Sequence, residues 1–107
     1  MEITISSRHT DLSDALVATT RQKLSRLGRF GGGLERAEVH FYEERNPRIT
    51  DREVCEICLD GPGHQLRSKV SAPDGFVAVD RAVEKLEHQL HKLKTRNTRT
   101  TLRNHRT

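Results

Sequence analysis

The residues best placed to do chemistry in this chain are cations. Residues 81–107 hold eight lysines and arginines against only Glu84 and Glu87, a net of +6. Residues 1–80 hold eleven basic and thirteen acidic groups, and within them residues 35–60 hold four against eight, or −4. At about 100° per residue, with Leu86 and Leu90 facing a core, Arg81, Lys85, Gln89, Lys92 and Arg96 fall on one helix flank. His88 lies just beyond them, while Glu84 and Glu87 take the opposite flank. An earlier helix shows a related bias, with Lys23, Arg26 and Arg29 following one side of a leucine stripe and Arg21 on the other. A helix built only for stability intersperses ion pairs four residues apart, so this segregation points to a polyanion. Two such helices side by side are expected to join their basic flanks into one surface. Nucleic acid is the expected ligand rather than a membrane, because no lipid-inserting apolar face accompanies the charge.

Other constellations are explained structurally. Cys55-Glu56-Ile57-Cys58 has zinc-knuckle spacing, but on a strand an offset of three sends the thiols to opposite faces, so no metal site is expected. His88 and His91 share a helix face without a second ligand pair beside them in sequence. The run Gly31-Gly32-Gly33 follows a helix C-terminus, where the dipole has the wrong sign for a phosphate loop, and reads as a turn. His9, Asp11 and Ser13 offer imidazole, acid and hydroxyl, but at a helix start Asp and Ser are accounted for by capping. No acid–base or nucleophile pair is legible. The chain is therefore expected to be no enzyme, with no cofactor, metal or small-molecule substrate.

The elements that must position these groups are few. A chain of 107 residues, 33% hydrophobic and 4% aromatic, supports one small domain with a core of leucine, valine and isoleucine. No apolar run approaches the ~20 residues of a membrane helix, and Met1 to Ser7 alternates instead of forming a signal peptide, which predicts a soluble cytoplasmic protein with two reduced cysteines. Alternation predicts strands at Glu2–Ser6, Ala37–Phe41, Glu53–Leu59 and Leu66–Val70, the last with Arg67 and Lys69 on its other face. The Asn46-Pro47 and Asp60-Gly61-Pro62-Gly63 segments predict turns. Ser13 is expected to cap a helix with stripe Leu16, Val17, Thr20, Leu24 and Leu27, stapled by Leu12. Asp74 is expected to cap a last helix with stripe Phe76, Val79, Val83, Leu86, Leu90 and Leu93. The order β-α-β-β-β-α then predicts a two-layer α+β domain, a four-stranded mixed sheet with both helices on one face, similar in plan to a double-stranded-RNA-binding domain. Residues 1–94 form the expected domain, and 95–107, with Leu102 as the only large apolar group, a flexible basic tail or the start of a linker.

Several segments resemble the ribosome hibernation-promoting factor family, which includes the ribosome-associated inhibitor A proteins. Asp74-Gly75-Phe76-Val77-Ala78-Val79-Asp80 is similar to the family's Asp-Met-Tyr-x-Ala-Ile-Asp, and Lys85 to Lys94 is similar to its Lys-Leu-Glu-Arg-Gln-Leu-Asn-Lys-Leu-Lys. Ile5-Ser6-Ser7-Arg8-His9 resembles Ile-Thr-Gly-Arg-Asn, and Lys23-Leu24-Ser25-Arg26-Leu27 resembles Lys-Leu-x-Lys-Leu. The resemblance, from Met1 to about Lys94, implies a domain that occupies the tRNA and mRNA channel of the small ribosomal subunit, contacts 16S rRNA and inhibits translation in resting or stressed cells. Matched by position, it implies RNA contacts at Arg8, Lys23, Arg26, Lys85, Gln89 and Lys92. His88 stands where arginine is usual, His91 replaces asparagine, Phe76 replaces tyrosine and Gly75 replaces methionine. Long family members pair ribosomes through a second domain, so pairing is expected only with such a domain beyond this chain. The alternatives are an adaptor binding protein through an acidic sheet region, or a general binder of double-stranded RNA.

Overall fold

A computed structural model describes the backbone of residues 1–29 and 33–105, and the side chains of those residues as far as Leu93. The elements run β1 (Glu2–Arg8), α1 (Asp14–Arg29), β2 (Arg36–Glu43), β3 (Glu53–Gly61), β4 (His64–Ala72) and α2 (Gly75–His105). The sheet order is β1-β2-β3-β4, with β1 and β2 parallel and the other pairs antiparallel. This is the expected mixed sheet. The crossover through α1 makes the parallel pair, and two short connections make the hairpins.

Local chemistry accounts for the element ends. Ser13 Oγ accepts the Leu16 N–H at 3.1 Å, and Asp74 Oδ1 accepts the Val77 N–H at 2.9 Å, so both expected caps are in place. Between β3 and β4 the two-residue turn Pro62-Gly63 needs φ near +74° at Gly63, which glycine adopts without strain. Gly31 and Gly32 of the glycine run lie outside the described residues, while Gly33 has φ +63°. Helix α2 continues past Lys94 to His105, since no glycine or proline follows Gly75 to stop it.

One sheet face carries the core. Ala37, Val39, Phe41, Cys55, Ile57, Leu59, Val70 and Ala72 point inward against Leu16, Leu24 and Leu27 of α1 and Ala78, Val79, Ala82, Val83, Leu86 and Leu90 of α2. Thr20 lies among them, its hydroxyl satisfied by donation to Leu16 O at 2.7 Å. The expected stripe needs one correction at its start: Phe76 is 44% exposed, and Ala78 and Ala82 fill the core line instead. Phe76 is three residues before Val79, about 60° off that direction, in a first turn where it borders a surface pocket with Leu12 and Pro73. Gly75 is explained by Leu16, whose Cδ2 lies 2.7 Å from where a Cβ would stand. Leu16 thus reaches into the space a larger side chain at position 75 would need. Cys55 is buried and Cys58 half-buried on the opposite face, and both thiols are free. Burial pushes the Cys55 thiol up to about 12.

The other sheet face is uncovered. Register places Glu2, Glu38, Glu56 and Asp60 on it with Arg8, Arg36, Arg67 and Lys69, four acids against four bases. The expectation of an acidic sheet surface, drawn from the −4 segment, does not hold for this face. Its surplus acids lie elsewhere: Glu43 and Glu53 on the helix side, and Glu44 and Asp51 in the following loop.

Candidate nucleic-acid interface

Helix α2 lies over β3 and β4, and α1 packs beside it above β1. This arrangement decides which charges meet. The α2 flank carrying Asp80, Glu84 and Glu87 faces α1, where Lys23 Nζ contacts Asp80 Oδ1 at 2.7 Å. A groove of about 340 Å³ between the helices is lined by Lys23, Arg26, Asp80, Glu84, Glu87 and His88. The two basic helix flanks therefore do not join into one surface: a row of α2 carboxylates stands between them and pairs with Lys23 of α1. Helical periodicity specifies which residues share a flank, and the neighbour's position decides which flank is covered.

The basic flank of α2 instead faces the free edge of β4. Gln89 Nε2 donates to Arg67 O at 3.0 Å, fastening the helix to an edge carbonyl that no other strand reaches. Beside this bond an open groove of about 470 Å³ is lined by Lys69, Val70, Ser71, Arg81, Glu84, Lys85 and His88. Lys92, exposed, continues the flank. Lys69 Nζ sits 5.9 Å from the centre of the Tyr42 ring, and the neighbouring Tyr42 side chain holds its pKa above the ordinary lysine value. Aliphatic lining with converging ammonium and guanidinium groups suits a phosphate backbone and leaves little aromatic surface for base stacking.

The expected site residues thus divide. Arg81, Lys85 and His88 come together in the α2–β4 groove, and Gln89 adjoins it with its amide donor already committed to the backbone. Lys23 and Arg26 lie in the helix–helix groove among acids. Arg29 is exposed in the last turn of α1, where a cation suits the helix dipole. Arg8 lies on the uncovered sheet face, opposite Tyr42. Arg96 lies outside the residues whose side chains are described. Lys69 is the member that sequence reasoning missed. The alternation of Arg67 and Lys69 was its signal, but their strand had first to be known as the edge beneath the last helix.

Among the described residues no group of three or more His, Cys, Asp or Glu side chains is placed to hold a metal ion, and no helix is long and apolar enough to cross a membrane.

A mixed four-stranded sheet with two helices on one face and a basic edge places the chain among small α+β domains able to meet a polyanion, and comparison with known proteins gives the family. Residues 3–98 match the family described as Sigma 54 modulation protein / S30EA ribosomal protein, and the chain belongs to it. A protein of Acidithiobacillus ferridurans named ribosome hibernation promoting factor is 29% identical over 80 residues, covering 75% of this chain and all of that one. Proteins named ribosome hibernation promotion factor from Deinococcus radiodurans and Mycobacterium tuberculosis are 30% and 34% identical over 86% and 89% of this chain. The chain spans 48% and 44% of those two longer relatives. Among solved structures, the N-terminal domain of Thermus thermophilus Protein Y superposes with a TM-score of 0.72 at 30% identity, over 87% of this chain and 99% of that domain. A ribosomal subunit interface protein from Coxiella burnetii, at 23% identity and a TM-score of 0.74 over 89% of this chain and 99% of that one, shares the fold. The family is one of ribosome-associated hibernation factors.

Proposed function

We propose that this chain is a cytoplasmic ribosome hibernation factor that binds the small ribosomal subunit through 16S rRNA, occupies the tRNA and mRNA channel and blocks translation by occlusion. Family membership supports the ribosome as partner. The observation that supports the rRNA contact is the basic α2–β4 edge, where Lys69, Arg81 and Lys85 converge around the single carboxylate of Glu84 while Asp80 and Glu87 are turned toward α1. Affinity comes from phosphate contacts, so binding weakens with salt by roughly 0.7 to 0.9 log units per log unit of salt for each neutralised phosphate. His88, on the crest shared by both grooves, adds a contact. Arg8 and the α1 cations Lys23, Arg26 and Arg29 take secondary positions.

The test is sedimentation of ribosomes and subunits with and without the chain, scoring subunit binding, translation and ribosome pairing together. Cosedimentation with small subunits and loss of translation are expected, and charge reversal at Lys85 and Lys92 releases the protein while its circular dichroism is unchanged. Undiminished cosedimentation of that variant contradicts the proposal.

A further inference from the structure

The loop between β2 and β3, residues 44–52, takes no part in the α2–β4 groove, yet it is braced throughout. The Glu44 N–H donates to Arg52 O at 2.7 Å to close its base, and the Ile49 N–H donates to Asn46 O at 3.1 Å across its tip. Asn46 Oδ1 accepts the Arg48 N–H at 3.1 Å. Arg52 spends its guanidinium inward, Nε donating to Ile49 O at 2.9 Å and Nη2 to Pro47 O at 3.1 Å. Those bonds order the tip in advance, which removes an entropic cost from any binding it does. The tip presents Arg48 and Ile49 outward, and Ile49 is 39% exposed.

A second feature converges there. The chain leaves β1 through His9 at φ +61°, a left-handed conformation that a non-glycine residue adopts only under strain. That turn sets His9 Nδ1 2.8 Å from Arg45 Nη2, with the ring nitrogen accepting from the guanidinium. Arg8, one residue earlier, points to the uncovered sheet face at the same end. Two of the neighbouring acids are directed elsewhere, and Asp51 is the one left in the loop beside Arg52. Glu53 accepts the Thr10 hydroxyl at 3.4 Å, and Glu44 turns back toward the Asn46 N–H at 3.4 Å.

We propose that this loop is a second RNA-binding arm, in which Arg45 and Arg48, with Arg8 beside them, hold a phosphate backbone while Ile49 lies against a sugar or base. The inference rests on the reading that the ligand is rRNA, and it adds a grip that shares no residue with the α2–β4 groove. Binding of small subunits is measured across a potassium chloride series for the unaltered chain, for Arg45→Gln/Arg48→Gln, for Lys85→Gln/Lys92→Gln, for all four changes together, and for Ile49→Ala. The loop variant is expected to lose affinity severalfold, with a slope shallower by roughly 0.7 to 0.9 per lost contact. The groove variant loses its own share, the combined variant loses both, and Ile49→Ala weakens binding at unchanged slope. A loop variant indistinguishable from the unaltered chain, beside a weakened groove variant, overturns the arm and leaves the groove standing. The opposite pattern overturns the groove and leaves the arm. Absence of binding by the unaltered chain overturns both.

Discussion

Asp80 holds Lys23 at 2.7 Å, with the lysine side chain 27% and the aspartate 65% exposed. An ion pair this open contributes at most about 1 kcal/mol to stability, but it cancels a charge that the sequence assigns to the RNA-binding surface. Lys23→Gln is therefore expected to change small-subunit affinity much less than Lys85→Gln, which a side-by-side titration checks. Glu53 makes a pH-dependent counterpart. Burial, then repulsion from Glu43, raises its pKa above the ordinary carboxylate value, partly opposed by the Thr10 hydroxyl. The folded state thus holds a proton that the unfolded state has released, so stability falls as pH rises through that window. Glu53→Gln is expected to raise the unfolding midpoint at neutral pH, and the gain disappears once the solution is acid enough to protonate Glu53 in both states. The buried Cys55, with its thiol pushed up to about 12, follows the same sign at alkaline pH: stability falls between the ordinary thiol value of about 9 and about 12. In the native state Cys58 is expected to react with a thiol reagent while Cys55 reacts only on unfolding, as peptide mapping of the labelled protein would show.

Among the elements, Gln89 has the role that differs most from its appearance in the sequence. It sits on the basic flank and resembles an RNA contact of the family, yet its amide nitrogen ties α2 to the edge of β4. Gln89→Ala is expected to destabilise the fold by about 1 kcal/mol, measurable by denaturant unfolding, and to weaken RNA binding only through the loosened groove. The strands, their order and both helix caps were legible in the sequence because alternation, Ser13 and Asp74 are local signals. The packing partner of each helix flank was not. Lys23 and Lys85 look equivalent on a helical wheel, and only the position of α1 beside the Asp80–Glu87 row separates them. Phe76 was misplaced for a related reason: periodicity assigns it to the core stripe but does not show where the core ends. Leu24, wholly buried between the sheet and α2, is the opposite case, and Leu24→Ala is expected to cost about 2–5 kcal/mol.

For the whole molecule, charge is distributed by place more than by segment. The uncovered sheet face is balanced, acids collect between the helices and around their N-termini, and Arg81 and Lys85 of the last helix meet Lys69 at the β4 edge. A body of this kind meets a polyanion along one edge, and Arg81 and Lys85 of the last helix form one wall of a groove whose other wall, at Lys69, comes from a strand. The loop of residues 44–52, with three arginines against Glu44 and Asp51, is a basic island inside the acidic stretch of residues 35–60. The most direct measurement of the central claim is the affinity for small ribosomal subunits of two charge-reversed proteins, Lys69→Glu/Lys85→Glu and Lys23→Glu/Arg26→Glu, both confirmed folded. Binding lost in the first and largely kept in the second is the result this structure predicts. Equal losses, or the greater loss in the α1 variant, would contradict it.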